Sequence, residues 1–423
     1  MSWLLIIPLM IVCLFLNIRV YLAMFIGIIA DFLFFSSVPI EIAVQRLIAP
    51  TQSPSLLAIP FFILLGTLMS YTGIAERILH IANVLVGKMR GGLGVANILV
   101  STMMGGVSAS NLADAAMLSR MMVPEMERKG YNRAFAAAIT AGGSLVTPII
   151  PPGIALIIYG LVADVSIGKM FIAGLVPGLL CAVVLMFTVY LVARKTNAKP
   201  SRESWPTGKE MVFSLGQAWP ALFLIFAVVG GIRANIFTPT EAGAVAVLIV
   251  LAIGFFIYRE MRISHVVKAL GETARATASV MLVIMASAAL GWIFSMEHAG
   301  VAVANFVTSL TENKYMFLLI INILLLTLGM FLEGNAILLI LVPLLKPVVE
   351  HFGIDPVHFG IIMIFNLSIG AFTPPVGTVM LLVCNITQVS VGNFFKQSLP
   401  LLAALLLMLM LVTYIPAISL FLV

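Results

Sequence analysis

Two matching interruptions constrain this chain more than any other feature: GGSLVTPIIPPG at residues 142–153 and GAFTPPVG at 370–377. Each lies in an apolar run long enough to cross a bilayer, yet each carries glycine and a Pro-Pro pair that an unbroken helix cannot hold. The helix must open at both places. In lipid, an opened helix leaves carbonyls and amides without partners, which is tolerable only under protein or beside a water-filled cavity. Matched breaks in two halves of a membrane chain point to the binding site of a secondary transporter.

Composition agrees. Of 423 residues, 62% are hydrophobic and 9% charged, against roughly a quarter charged in soluble domains. An all-α, polytopic membrane protein is expected. The formal charge of +6 is spread over short loops rather than gathered in a stripe, as in cytoplasmic loops that collect Lys and Arg, so it gives no argument for nucleic acid. Cys13, Cys181 and Cys384 lie far apart in apolar runs and suggest neither a disulfide framework nor a metal site. The five histidines never form a His-Glu-x-x-His set, and no Gly-x-Ser-x-Gly elbow is present; no enzyme is expected.

Along the chain, residues 1–54 read as N-terminal scaffold helices, with spans at 3–18 and 20–38 and an interfacial segment at 41–54. A first repeat is expected over 55–193. It opens with a span at 56–71 and a surface helix at 73–87, whose Ile74, Ile78, Ile81 and Leu85 share one face. A re-entrant hairpin follows at 94–122, its arms too short to cross alone and its tip at Ser108–Asn111, then a polar elbow at 124–133 and a broken helix at 133–160. Residues 194–210 form a basic connector, cytoplasmic by the positive-inside rule. Residues 211–274 add scaffold helices, and 275–423 a second repeat with a hairpin at 316–349 and a broken helix at 356–386.

The repeat rests on ordered matches. Asn97-Ile98-Leu99 recurs as Asn322-Ile323-Leu324, 225 residues on, an offset that sets Ser108 opposite Glu333 and Ser110 opposite Asn335. Pro151-Pro152 recurs as Pro374-Pro375, and VSIGKMF at 165–171 as VSVGNFF at 389–395. Two inverted structural repeats would bring two hairpins and two broken helices together near the midplane.

Carbonyls freed at a break, with nearby hydroxyls, are hard ligands for a small cation, and half-helix N-termini attract anions. Ser108 and Ser110 stand opposite the break from Thr147 to Pro152, while Glu333, Gly334 and Asn335 face Gly370, Thr373 and Pro375. Two pseudo-symmetric sodium sites are expected, with an anionic substrate held between the tips by Ser110, Asn111, Asn335 and Thr373. Asp114, one turn past the first tip, is placed to brace it. The plainer reading is that these small residues only permit close helix packing.

At GIAERI, GGVSASNLADA, GYNRAFAAAIT, PIIPPGIALIIYG, FTPTEA, DPVHFGIIM and TPPVG, the chain resembles the large membrane subunit of tripartite ATP-independent periplasmic (TRAP) transporters, over nearly its whole length. The resemblance implies an elevator-type, Na+-coupled symporter of the bacterial inner membrane, taking up an organic acid of the sialic acid or C4-dicarboxylate class. Its implied partners are a small four-helix membrane subunit, here a separate chain, and a periplasmic substrate-binding protein. The family's first sodium site maps onto Ser108 and Ser110 with the carbonyls of Thr147, Ile150 and Pro152, and the second onto Glu333, Gly334 and Asn335 with Gly370, Thr373 and Pro375. Thr147 stands where a glycine is common and Glu333 where an aspartate is usual. A stand-alone ion-coupled symporter and a channel are the alternatives.

Overall fold

The computed structural model describes residues 3–16, 18–36, 38–108, 110–194, 199–202 and 204–423. Three helices open the chain: α1 (Trp3–Phe15), α2 (Val20–Phe34) and α3 (Ile40–Ile48). Seven follow as α4 (Ala58–Met69), α5 (Ile74–Val86), α6 (Gly92–Ser108), α7 (Asn111–Arg128), α8 (Arg133–Ser144), α9 (Ile154–Ala163) and α10 (Ile167–Arg194). Then come α11 (Gly208–Arg233) and α12 (Pro239–Ala252), and a second seven: α13 (Ile263–Met296), α14 (Ala299–Leu310), α15 (Lys314–Phe331), α16 (Gly334–His351), α17 (Pro356–Phe372), α18 (Thr378–Thr387) and α19 (Val391–Tyr414). A short α20 (Ala417–Leu420) ends the chain. Among the described residues, seven helices are long and apolar enough to cross a bilayer, and an eighth span is counted if the bent pair 40–52 and 54–69 is one crossing.

The two sets of seven correspond in order: a span, an amphipathic helix, two hairpin arms, two half-helices and a closing span. Between α4 and α13 the chain crosses five times, through α4, the α8–α9 pair, α10, α11 and α12. An odd number of crossings makes α13 run opposite to α4, so the repeats are inverted. Basic residues agree, because the α10–α11 connector carries Arg194, Lys199, Arg202 and Lys209, and the α12–α13 turn carries Arg259 and Arg262. The two hairpins therefore open toward opposite sides of the membrane, and the positive-inside rule would put the first on the cytoplasmic side.

Packing exchanges parts between repeats. The first arms lie on the first half-helix of their own repeat, α6 on α8 and α15 on α17. The second arms lie on the distal half-helix of the other, α7 on α18 and α16 on α9. Buried amides fix these contacts. Asn97 Nδ2 donates to Thr140 Oγ1 at 2.7 Å, joining α6 to α8; Asn322 Nδ2 donates to Thr413 Oγ1 at 3.0 Å, and Asn366 Nδ2 to Asn322 Oδ1 at 2.7 Å, joining α15 to α19 and α17. At matching heights glycine lets backbones touch. A Cβ on Gly105 would lie 2.9 Å from Thr147 Cα, and one on Gly370 2.6 Å from the Gly329 backbone.

Five expectations need correction. The hairpin arms are longer than 94–122 implies: α7 runs on through Pro124 to Arg128, so PEMER belongs to the arm and not to an elbow. At 17 and 18 residues the arms reach about 26 Å, so shortness is not what makes them re-entrant; their tips stop where they meet the breaks. The second repeat, expected to begin at 275, opens instead with the 34-residue α13, which starts in polar sequence at Ile263. On α5, Ile74, Ile78, Ile81 and Val84 are buried while Leu85 is exposed, because α6 and α11 both flank this helix and shift its covered face. Finally, the residues capping the second arms are Ser110 and Glu333, 223 apart, as are Pro151 and Pro374. Ser110, not Ser108, is the counterpart of Glu333; an offset taken at Asn97 does not hold at the tip.

Candidate substrate and ion site

The two breaks form differently. After Ser144, α8 tightens into single turns in which Leu145, Val146 and Thr147 bond back three residues, to the carbonyls of Gly142, Gly143 and Ser144, and the chain then passes through a cis Pro151-Pro152 bond. The α17 helix continues to Phe372 before Thr373 caps it, followed by a cis Pro374-Pro375 bond. Gly377, at φ +39, donates its amide to Met330 O at 2.9 Å and so ties the second break to the end of α15. A Cβ at Gly377 would stand 2.7 Å from Thr373 O, so only glycine fits this return.

At the first break Asp114 is buried on α7 and accepts a 2.7 Å hydrogen bond from Thr147 Oγ1. Asp114, expected to brace the tip, is here bonded to the break instead, which gives the threonine a role that glycine would lack. Ser110 caps α7, its Oγ accepting from Ala113 N at 3.4 Å. Thr147, Ile150 and Pro152 are buried, and none of their carbonyls accepts a hydrogen bond from a described residue. Buried carbonyls are rarely left so, and three around one break can face a cation. Ser108 ends α6, and its side chain lies outside the described part.

The second break is more open. Pro375 is exposed where Pro152 is buried. The Gly370 carbonyl accepts Thr373 N at 3.0 Å, and Thr373 Oγ1 donates to Ile369 O at 2.8 Å. At the tip, Asn335 Nδ2 donates to Glu333 Oε1 at 2.8 Å. Two of the oxygens expected to meet at a second ion site are thus partly engaged by their own helix end.

Both tips and the first break meet at one cavity of ≈ 130 Å³. Ser110 and Asn111 reach it from the first hairpin, Glu333, Gly334 and Asn335 from the second, and Pro148, Ile154 and Ala155 from the first break. Thr147, Ile150, Pro152, Gly370, Thr373 and Pro375 stand outside its lining. Sequence reasoning missed Ser368 on α17 and Thr378 at the start of α18, which supply hydroxyls to the same cavity. Their signal was a polar residue within an apolar half-helix beside a break. The volume is below the roughly 300–1,000 Å³ of small-molecule pockets.

The fold has a solved likeness in the YdaH transporter of Alcanivorax borkumensis, described as having an unusual topology, with a TM-score of 0.60 at 15% identity over 90% of this chain and 89% of that one. Among curated proteins, the chain is 38% identical to the C4-dicarboxylate TRAP transporter large permease protein DctM of Pseudomonas aeruginosa over 390 residues, 92% of this chain and 90% of that protein. It is also 38% identical to the sialic acid TRAP transporter large permease protein SiaM of Vibrio cholerae over 391 residues, with the same shares. The 2,3-diketo-L-gulonate TRAP transporter large permease protein YiaN of Escherichia coli is 33% identical over 89% of this chain and 88% of its own. Residues 7–418 match the family model described as the tripartite ATP-independent periplasmic transporter, DctM component. With that match spanning both hairpins and both breaks, the chain belongs to the DctM component family of tripartite ATP-independent periplasmic transporters.

Proposed function

We propose that this multi-pass protein of the bacterial inner membrane imports an organic acid, driven by sodium, as the large subunit of a three-part transporter. The observation that carries the reading is the set of three buried carbonyls at Thr147, Ile150 and Pro152, which accept no hydrogen bond from a described residue and belong to the break whose Pro148 and Ile154 line the cavity shared by both tips. Carbonyl oxygens suit a small hard cation, and the α7 and α16 N-termini that end at the cavity suit a carboxylate. Sodium binding would hold the first break against the first tip and so complete the acid's site. The hairpins, the broken helices and their bracing arms would travel as one body past a scaffold containing α4, α11, α12 and α13. The acid would arrive on a periplasmic binding protein, with a small membrane subunit enlarging the scaffold.

Relatives named for C4-dicarboxylates, sialic acid and 2,3-diketo-L-gulonate define the acids to try. The test is uptake into proteoliposomes holding both membrane subunits, with loaded binding protein outside. Saturable uptake of one acid that collapses when the sodium gradient is removed is expected. Uptake indifferent to sodium, uptake that needs no binding protein, or current far above carrier turnover in the absence of acid would overturn the reading.

A further inference from the structure

A larger cavity, ≈ 640 Å³, lies apart from the tips, between α13 and α14 on one side and α16 and the end of α9 on the other. It sits on the periplasmic side, since α13 enters from the basic cytoplasmic turn and reaches this cavity with its last turns, at Gly291 and Ser295. Its walls are largely small or apolar, but half-buried Lys346 of α16 lines it, as it does a much smaller pocket on the other side of α16 beside Tyr159 and Phe359. No carboxylate of a described residue lies within ion-pair distance of Lys346. Glu350, one turn further on, lines the same cavity nearer its rim and is exposed, as is His298 opposite. An ammonium with no ion partner among the described residues, on a helix that crosses apolar surroundings, marks a ligand path more often than a structural need.

The position of Lys346 gives that charge a use. The α16 helix starts at Gly334, in the wall of the central cavity, and Lys346 lies twelve residues along it, about 18 Å away. We infer that this cavity is a carboxylate-binding antechamber, in which Lys346 holds the acid released on the periplasmic side before it reaches the tips. The inference rests on the import reading above and adds to it a second, outer site with one cationic residue. Ser295 adds an exposed hydroxyl across from Lys346, so the chamber offers a carboxylate one ammonium and one free hydroxyl.

The experiment reads the chamber's charge without transport. Ser295 is exposed in its wall, and the native Cys13, Cys181 and Cys384 are buried, so Ser295→Cys supplies a reactive thiol in the full complex. Its rates with an anionic (2-sulfonatoethyl) and a cationic (2-trimethylammonioethyl) methanethiosulfonate are compared with those of a free thiol. With Lys346 present the anionic reagent should be favoured by about tenfold, as focusing in a low-dielectric cleft gives. In the Lys346→Gln background the preference should fall to the free-thiol value, and in Lys346→Arg it should remain. Succinate or sialic acid at millimolar concentration should slow the anionic reagent only where residue 346 is cationic. An unchanged preference in Lys346→Gln, as expected if the ammonium reaches lipid headgroups, overturns the antechamber, as does the absence of protection by any acid. Sodium-driven uptake by the unmodified complex is scored separately, so failure of the import reading and failure of the antechamber give different results.

Discussion

Ser287 of α13 donates a 2.5 Å hydrogen bond to the carbonyl of Leu339 on α16, the one carbonyl that Pro343 leaves without its helical amide. The bond joins a long, continuous span to the arm of a re-entrant hairpin and is buried. In the stroke proposed above it would have to break, because α16 would travel while α13 stayed, so the bond would hold the conformation described here.

Ser287→Ala should weaken this state by about 0.6–1.7 kcal/mol, the range for hydrogen bonds between membrane helices. In Pro343→Ala the new amide can take the Leu339 carbonyl, so the serine becomes dispensable. A double-mutant cycle on the melting temperature of the purified complex checks this, with the serine substitution near neutral in the alanine background. Equal losses in both backgrounds would show that the bond carries no weight.

Close backbone contact at the second break predicts a sharp contrast among glycines. Gly370→Ala puts a Cβ 2.6 Å from the Gly329 backbone, whereas nothing lies within 4 Å of a Cβ at Gly392 on α19. The first should lose most folded protein or all uptake. The second should be neutral or stabilising by about 0.4–1 kcal/mol. Size-exclusion profiles and uptake measure both.

Ser110 combines a cap and a candidate ion ligand, and two substitutions separate them. Ser110→Ala removes the cap as well as the hydroxyl, at about 1 kcal/mol, whereas Ser110→Gly keeps the helix start within a few tenths. If the hydroxyl meets sodium, both variants should need roughly tenfold more sodium for half-maximal uptake. A Gly variant with ordinary sodium dependence would assign the serine to capping alone.

Arg77 on α5 joins the surface helix to the cytoplasmic turn, through Glu260 at 2.7 Å, the Gly73 carbonyl at 2.8 Å and the Tyr258 ring at 3.8 Å. Arg77→Ala should cost about 1 kcal/mol and lower the maximal uptake rate while preference among acids stays unchanged. A switch in preferred acid would place Arg77 in contact with substrate.

Tyr131, in the turn between α7 and α8, is pushed up to about 12 by burial, against an opposing effect of the Gly94 amide that it accepts. The folded state favours the neutral phenol, so its contribution is complete below the unfolded pKa near 10 and is lost as pH rises from there to about 12. Thermal melts across pH 9 to 12 should show this loss in the native protein. Tyr131→Phe, which cannot ionise, should flatten the alkaline limb while costing some stability at neutral pH through the lost Gly94 partner.

Much of the architecture was local in origin. Proline pairs without amides had to open their helices, GGVSASNLAD had to turn, and so apolar a chain had to reside in a membrane. Those are properties of a few neighbouring residues, and the helices stop at Ser144 and Phe372 as they demand. The same residues named Ser110, Asn111 and Glu333 to Asn335 as tips, and the structure brings them to one cavity. Tertiary structure alone decided that Ser110 faces the role of Glu333, that Ser368 and Thr378 join the cavity, and that Lys346 and Ser287 face one chamber. These depend on how each helix is rotated about its axis and on the exchange of arms between repeats. Apolar periodicity cannot encode that rotation in lipid, where a side chain facing solvent and one facing a neighbour are equally hydrophobic.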